Sequence, residues 1–267
     1  MSIYVSIVGK PNVGKSTFFN KIFKSNISKV ANEPGTTKEV IEKSFLYKDK
    51  KITFLDTGGL KKKSKSKNDR QNFITKECLS AINKSSIVIF MIDASDHFTK
   101  NDKQICRLIL NKLKSLIVII NKSDLVQSEI KTRSKYFNFY FENLFSDILI
   151  KPYFFSCYEN RNTEFFIKQI CGLIDSSNKF IDNKKLNIFL QNINDSHKAP
   201  HKGKFRPKVK FLKQVSAFPF ILKAFGSRLQ AINKHYKNFF LKKFLSYFSI
   251  YNKVVVIKFV NNENPFN

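Results

Sequence analysis

The stretch that most constrains this chain runs from Ile3 to Thr17, IYVSIVGKPNVGKST. Apolar residues at Ile3, Val5, Ile7 and Val8 read as a strand, and Ser16, Thr17, Phe18 and Phe19 read as the opening of a helix. Between them Gly9, Lys10, Pro11, Asn12, Val13, Gly14 and Lys15, with Ser16, fit the spacing G-x-x-x-x-G-K-[ST]. In a loop of this kind the backbone N–H groups curl round phosphates, Lys15 reaches the outer phosphates and the Ser16 hydroxyl ligates magnesium. Glycine at both ends lets the backbone approach an anion with no Cβ in the way. The helix that follows directs its partly positive N-terminus at the same point.

A parallel sheet covered by helices follows from the order of the next segments. After a helix over about Lys15–Lys24, Glu33-Pro34-Gly35-Thr36-Thr37 marks a loop, and Val40–Tyr47 and Lys51–Leu55 form a hairpin around Lys48-Asp49-Lys50. The hairpin ends in Asp56-Thr57-Gly58-Gly59, where a carboxylate can hold the magnesium shell and a flexible glycine can turn its N–H onto a γ-phosphate. Leu60–Arg70 is basic and without apolar period, consistent with either a solvated loop or an RNA contact. Helix Phe73–Asn83, strand Ile87–Asp93, helix Thr99–Leu113 and strand Leu116–Ile120 continue the alternation. That last strand ends in Asn121-Lys122-Ser123-Asp124. A carboxylate at Asp124 accepts from the N1–H and exocyclic amine of guanine, which adenine cannot offer, while the Lys122 stem lies along the ring. ATP would leave the carboxylate dry and unpaired, so the pattern selects GTP. A helical segment Ser128–Leu144, a strand Ile150–Phe155 ending in Ser156-Cys157, and a helix Thr163–Ile174 close the first domain, residues 1–177. The small pair Ser156-Cys157 lets backbone N–H groups approach the guanine carbonyl.

Charge adds a second theme. Lys and Arg number 48 against 20 Asp and Glu, a net charge of +28. Such an excess favours a polyanionic partner. Only six of the 48 are arginine and tryptophan is absent, so part of the lysine excess fits the bias of an A/T-rich genome. From residue 178 onward, however, 18 basic and 3 acidic residues give +15, against +13 for the longer part before it. A uniform bias does not produce that asymmetry; a basic face against RNA phosphates does, with a solvated lysine surface as the alternative. The tail reads as helix (about Lys185–Asn194), strand (Lys208–Val215), strand (Phe220–Phe225), helix (Leu229–Phe248) and strand (Val254–Val260), or α-β-β-α-β. Phe239, Phe240, Phe244 and Phe248 read as core. The four cysteines lack metal-ligand or C-x-x-C spacing and read as reduced thiols. With the first strand starting near Met1 and no apolar run long enough to span a bilayer, a cytoplasmic protein without membrane attachment is expected.

In order and spacing, GKPNVGKS, PGTT, DTGGL, NKSD and SC resemble the GTPases of the Era, Der (EngA) and MnmE kind. The segments KLNIFLQNINDSHKAP, KVKFLKQVSAFPFILKAFGSR, YKNFFLKKF and VVVIKFV resemble the C-terminal KH-like domain of Der. The resemblance implies an α/β P-loop GTPase domain, mostly parallel with helices on both faces, followed by a small α+β KH-like domain over residues 178–267. It departs from the family in carrying one GTPase domain where Der proteins have two in tandem. It implies a GTP-hydrolysing factor for large ribosomal subunit assembly that binds rRNA and is monomeric off the ribosome. GTP or GDP would be held by residues 9–17, Asp56, Thr57, Gly58, Gly59, Leu60, Asn121, Lys122, Ser123, Asp124, Ser156 and Cys157. Magnesium would lie on Ser16, Thr37 and Asp56, and catalysis would rest on Lys15, Asn12, Thr37 and Gly59. Leu60 stands where many small GTPases place a water-orienting glutamine, so slow intrinsic hydrolysis is expected. In the family, the asparagine matching Asn12 helps to bind a potassium ion that takes the place of an arginine finger. The tail lacks a G-x-x-G loop, which leaves phosphate and shape contacts to dominate. A nucleotide-insensitive RNA-binding scaffold and an Era-like factor for the small subunit remain the competing readings.

Overall fold

The computed structural model describes residues 2–24, 30–31, 41–56, 76–145, 147–159, 163–176, 179–201 and 204–261. They fall into two compact units, residues 1–141 with 150–170 and residues 142–149 with 171–267.

The first unit is built on strands β1 (Ser2–Val8), β2 (Val30–Ala31), β3 (Ile41–Tyr47), β4 (Lys50–Asp56), β5 (Ile87–Asp93), β6 (Ser115–Asn121) and β7 (Pro152–Phe154). They form one sheet in the order β2-β3-β4-β1-β5-β6-β7. β1 pairs in parallel with both β4 and β5, and β5, β6 and β7 continue in parallel. Every residue of β5 and β6 is buried, which explains why both segments are near-continuous apolar runs: a parallel strand covered on both faces has no wet side. The antiparallel hairpin β3–β4 turns on Lys48 and Asp49, both at positive φ (46° and 62°), the geometry of a two-residue turn matched to strand twist. Its second strand therefore begins at Lys50, one residue before the sequence pattern suggests.

Helices α1 (Lys15–Lys24), α2 (Lys76–Lys84), α3 (Lys100–Asn111) and α4 (Ile130–Leu144) connect these strands, and α5 (Glu164–Asp175) follows the last of them. Helix α1 buries Phe18, Phe19, Ile22 and Phe23, two adjacent pairs one turn apart. Phe18 packs edge-on against Phe155 (5.7 Å between centroids) and Phe166 (5.3 Å), so the helix that opens at the P-loop is wedged against the segment ending in Ser156. Helix α3 starts with a full capping box: Thr99 accepts from the Asp102 N–H, and the Asp102 carboxylate accepts from the Thr99 N–H. One correction concerns α4. The sequence pattern starts it at Ser128, but Ser123–Glu129 is a 3-10 segment kinked at Val126, and the α-helix begins at Ile130. The tighter turn keeps residues 123 and 124 at the strand end instead of carrying them away along a helix.

The second unit contains α6 (Asn183–Ser196), β8 (Lys208–Ala217), β9 (Phe220–Ser227), α7 (Lys234–Tyr247) and β10 (Val255–Asn261). The sheet order is β10-β9-β8, parallel between β9 and β10 and antiparallel between β8 and β9. Leu186, Phe189, Leu190, Leu212, Leu222, Ala224, Phe240, Phe244 and Val255 make its core. Phe240 and Phe244 are fully buried, while Phe239 and Phe248 pack at the margin, so the phenylalanines of α7 serve packing. The final helix is shorter than its apolar pattern. Leu229–Ala231 forms a 3-10 turn, Ile232 is extended, and Asn233 caps α7 by accepting from the Tyr236 N–H.

Lys253 is an unusual core neighbour here, only 4% exposed, with its ammonium donating to the Ser176 carbonyl (3.1 Å) and lying over the Phe220 ring. Burial lowers its pKa to about 8. The unfolded chain, with an ordinary lysine near 10.4, binds the extra proton between those values. The folded state therefore gains stability as pH rises through this window and loses it again as pH falls to about 8. In urea titrations, the stability difference between Lys253→Met and the parent should shift in the parent's favour by about 2 kcal/mol from pH 7.5 to 10. A pH-independent difference would mean that Lys253 is charged in the fold throughout.

Candidate nucleotide site

The loops after β1, β5, β6 and β7 meet at the carboxyl ends of the parallel strands, where strand order reverses beside β1, the usual place for a ligand in such sheets. The first of these loops needs its glycines. Gly9 has φ +151° and a Cβ there would lie 2.3 Å from the Met91 carbonyl oxygen; Gly14 has φ +97° and a Cβ there would lie 2.3 Å from the Asn121 Nδ2. Asn12 between them is left-handed, with φ 63°. The Lys15 ammonium donates to the carbonyl oxygens of Gly9 (2.8 Å) and Lys10 (2.6 Å), drawing the loop round itself. Val13 is buried, whereas Pro11, Asn12, Ser16 and Thr17 are exposed.

Asn121 joins the loops. Its Nδ2 donates to the Val13 carbonyl (2.7 Å) and its Oδ1 accepts from the Cys157 N–H (3.0 Å), while the side chain is 1% exposed. The Cys157 N–H is thus engaged by Asn121, and the segment's contribution is to fix that carboxamide. Ser156 is fully buried and its hydroxyl accepts from the N–H groups of Tyr158 (3.2 Å) and Glu159 (3.1 Å), shaping the turn. Burial pushes the Cys157 thiol up to about 11, so it is protonated at neutral pH. Lys122, left-handed at φ 61°, pairs with Asp93 at 2.6 Å, which directs its stem across the strand ends. Burial works to raise the Asp93 carboxyl, but hydrogen bonds from Lys122 and Ser95 outweigh it and hold its pKa below the usual value.

Three supports carry no motif signature. Asp93 closes β5, and Lys21 on α1 donates to the carbonyls of Cys157 (3.2 Å) and Glu159, clamping the base-side loop onto the P-loop helix. Lys10 pairs with Asp102 of α3 at 2.8 Å, and Asp102 is 1% exposed. The T-x-x-D spacing of Thr99 and Asp102 signals the cap; the pair to Lys10, 92 positions away, has no local signal.

The residues fit a guanine nucleotide on their own terms. Among the described residues, two buried side-chain polar atoms have no hydrogen-bond partner, the Ser123 hydroxyl and Oδ1 of Asp124. A buried carboxylate oxygen without a donor is costly, and a ligand offering two N–H groups at that point removes the cost. For a metal, Ser16 stands at the exposed N-terminus of α1. Thr36, Thr37, Thr57, Gly58, Gly59 and Leu60 lie outside the described residues, as does the Asp56 side chain.

Comparison with known proteins agrees with this geometry. The family described as "50S ribosome-binding GTPase" matches residues 4–122. A second, "KH-domain-like of EngA bacterial GTPase enzymes, C-terminal", matches residues 181–259. GTPase Der of Hamiltonella defensa is 30% identical over 266 residues, which is 100% of this chain and 53% of that protein. Over its whole length the chain is similar to GTPases of the Der family. GTPase Der of Rickettsia prowazekii is 30% identical over 267 residues, 99% of this chain and 60% of that protein. The chain thus spans a little over half the length of the Der relatives it matches. Among solved structures, Era in complex with MgGDPNP and nucleotides 1506–1542 of 16S ribosomal RNA is 20% identical with a TM-score of 0.50, over 98% of this chain and 94% of that one. That likeness is one of fold. The mostly parallel P-loop domain followed by a KH-like domain is as the sequence implies. Among the described residues, no helix is long and apolar enough to cross a membrane.

Proposed function

We propose that this chain binds GTP and GDP with magnesium, hydrolyses GTP, and acts in the cytoplasm in assembly of the large ribosomal subunit, reaching rRNA through residues 178–267. The observation that carries the nucleotide reading is the buried Oδ1 of Asp124, without a donor among the described residues, beside a glycine-bounded loop that Asn121 fixes in place. Lys15 and the amides of Asn12–Thr17 hold the phosphates; Asp124 and the Lys122 stem select guanine. Ser16, Thr37 and Asp56 would hold magnesium, which neutralises charge on the β- and γ-phosphates when bound. Thr37 and Gly59 would respond to the γ-phosphate, and their loops would bias how tightly the tail holds RNA. The family description names the 50S subunit, and the concentration of positive charge after residue 177 supports rRNA as the contact.

Sedimentation of the pure protein with separated ribosomal subunits, in GTP analogue, GDP and no nucleotide, tests this reading. Pelleting with large subunits that depends on GTP analogue is expected, with monomer left in the supernatant. Nucleotide-independent pelleting would assign the scaffold alternative, and pelleting with small subunits the Era-like one.

Asn12 is proposed to help hold a potassium ion that supplies charge at the phosphates. Asn12→Gly keeps the left-handed backbone (φ 63°) while removing the carboxamide. Potassium should stimulate GTP turnover over sodium, by on the order of 10³-fold if it acts as an arginine finger does. The variant should turn over GTP equally slowly in both salts. Equal rates for the parent in both salts would remove potassium from the reaction.

A further inference from the structure

The three-stranded sheet of the second unit packs its helices on one face only, and the other face carries an arrangement that packing does not require. Directly paired residues point to the same side of a sheet, and the register sets Lys213 opposite Lys223 and Lys223 opposite Lys258. Their neighbours in sequence, Leu212, Leu222 and Ala224, point the other way into the core. One lysine from each strand therefore forms a row across the whole open face. Like charges set opposite each other destabilise a sheet, and neither Lys223 nor Lys258 pairs with a carboxylate among the described residues. Beside this row lies an apolar one, Phe211, Phe225 and Val260, in which Phe211 is 46% exposed, Val260 half-buried and Phe225 buried.

At the Ser227–Asn261 end of the same sheet, the Arg228 guanidinium lies over the Phe205 ring, its Cζ 3.6 Å from the ring centroid. Phe205, Pro207, Arg228, Gln230, Ala231 and Asn261 line a cavity of about 380 Å³. The Asn261 carboxamide is held in place because its Oδ1 accepts from the Leu229 N–H (2.6 Å). At about 3.3 Å per residue, Lys258 is roughly 10 Å along β10 from this cavity, a reach of a few nucleotides.

We infer that the open face of this sheet binds single-stranded RNA, with phosphates along Lys213, Lys223 and Lys258 and one unpaired base seated against Arg228 in the cavity. Each part has a chemical reason. Lys223 and Lys258 have no carboxylate partner among the described residues, and a polyanion supplies that counter-charge. A guanidinium plane offers a stacking surface, and Gln230 and Asn261 offer amide groups to a base edge. An anionic bilayer would satisfy the lysines but has no planar group for the cavity, and an acidic peptide does not join a planar ring to every charge as a nucleotide chain does. The tail lacks a G-x-x-G loop, so this face supplies a means of holding a base that the usual device does not. The inference rests on the RNA-binding reading above and specifies where that RNA lies.

The test is fluorescence anisotropy of the full chain with a labelled ten-nucleotide oligouridylate and with the corresponding abasic oligomer, from 50 to 200 mM salt. The Lys213→Gln, Lys223→Gln, Lys258→Gln triple variant should bind at least tenfold more weakly and lower the salt slope by about 2. Arg228→Asn, chosen because asparagine tolerates the left-handed backbone (φ 60°), should weaken the oligouridylate about tenfold and leave the abasic oligomer unchanged. Lys184→Gln with Lys185→Gln and Lys234→Gln, exposed on the helices, should change little, and melting curves establish that all variants fold. If the helix variant weakens binding as much as the sheet variant, or Arg228→Asn affects both oligomers alike, the proposal is overturned. It is also overturned if phosphatidylserine vesicles bind to the open face and the oligouridylate does not. A parent protein that pellets with ribosomal subunits yet ignores the oligomer overturns this surface alone; one that binds the oligomer as expected but does not pellet overturns the ribosomal reading alone.

Discussion

Asp124→Asn should lower GTP affinity by on the order of 10²–10³-fold while leaving the unfolding midpoint nearly unchanged. The Asp124 carboxylate has one oxygen, Oδ1, buried without a donor among the described residues. In the complex it would accept from the N1–H and exocyclic amine of guanine, two charge-assisted hydrogen bonds of about 1.5–3 kcal/mol each. Asparagine keeps the shape, loses the charge, and turns an amide N–H against the guanine amine. Xanthosine triphosphate carries a carbonyl at that ring position, so it should bind the variant more tightly than it binds the parent. Titration calorimetry with GTP, ATP and xanthosine triphosphate measures all three at once. A GTP affinity that survives the substitution would show that Asp124 does not read the base, and the guanine assignment would fall with it.

Gly9→Ala should cost the protein its nucleotide affinity, by about 100-fold or more, together with a fall of about 5 °C or more in the unfolding midpoint. The added Cβ would sit 2.3 Å from the Met91 carbonyl oxygen, and that atom belongs to β5, a central strand with no room to retreat. The residue would also be forced to φ +151°, where a side chain carries strain on the order of 1–3 kcal/mol. Gly172→Ala is the matched control. Nothing lies within 4 Å of a Cβ there and the residue is inside α5, so the same substitution should stabilise by about 0.5–1 kcal/mol. Equal behaviour of the two variants in melting and nucleotide titration would contradict the steric account of the loop.

The sequence carries the central features because they are local. β5 and β6 show as continuous apolar runs since both faces of a central parallel strand are dry, and the P-loop shows because phosphate binding fixes glycine at two spacings. Element starts were less legible. The onset of α7 is hidden because Leu229 and Ile232 are apolar and in helical spacing, yet they belong to a 3-10 turn and an extended residue before the Asn233 cap. The 3-10 segment after Lys122 likewise mimics the start of α4. The supports of the site were not legible at all, since Lys10–Asp102 and Asp93–Lys122 are made between side chains far apart in sequence. Nor does the small pair Ser156-Cys157 announce in sequence that the Cys157 N–H meets Asn121, a contact made only once β6 and β7 are paired.

The double hydrogen bond of Asn121 has a consequence for how this pocket comes into being. Its carboxamide reaches 108 residues back to Val13 and 36 residues forward to Cys157. The phosphate loop is therefore not finished by the first seventeen residues that spell it; it waits for a turn synthesised much later. A polypeptide halted after α4 would contain every phosphate-contacting group and still bind nucleotide feebly, so on an emerging chain the site should mature only after the turn following β7 has left the exit tunnel.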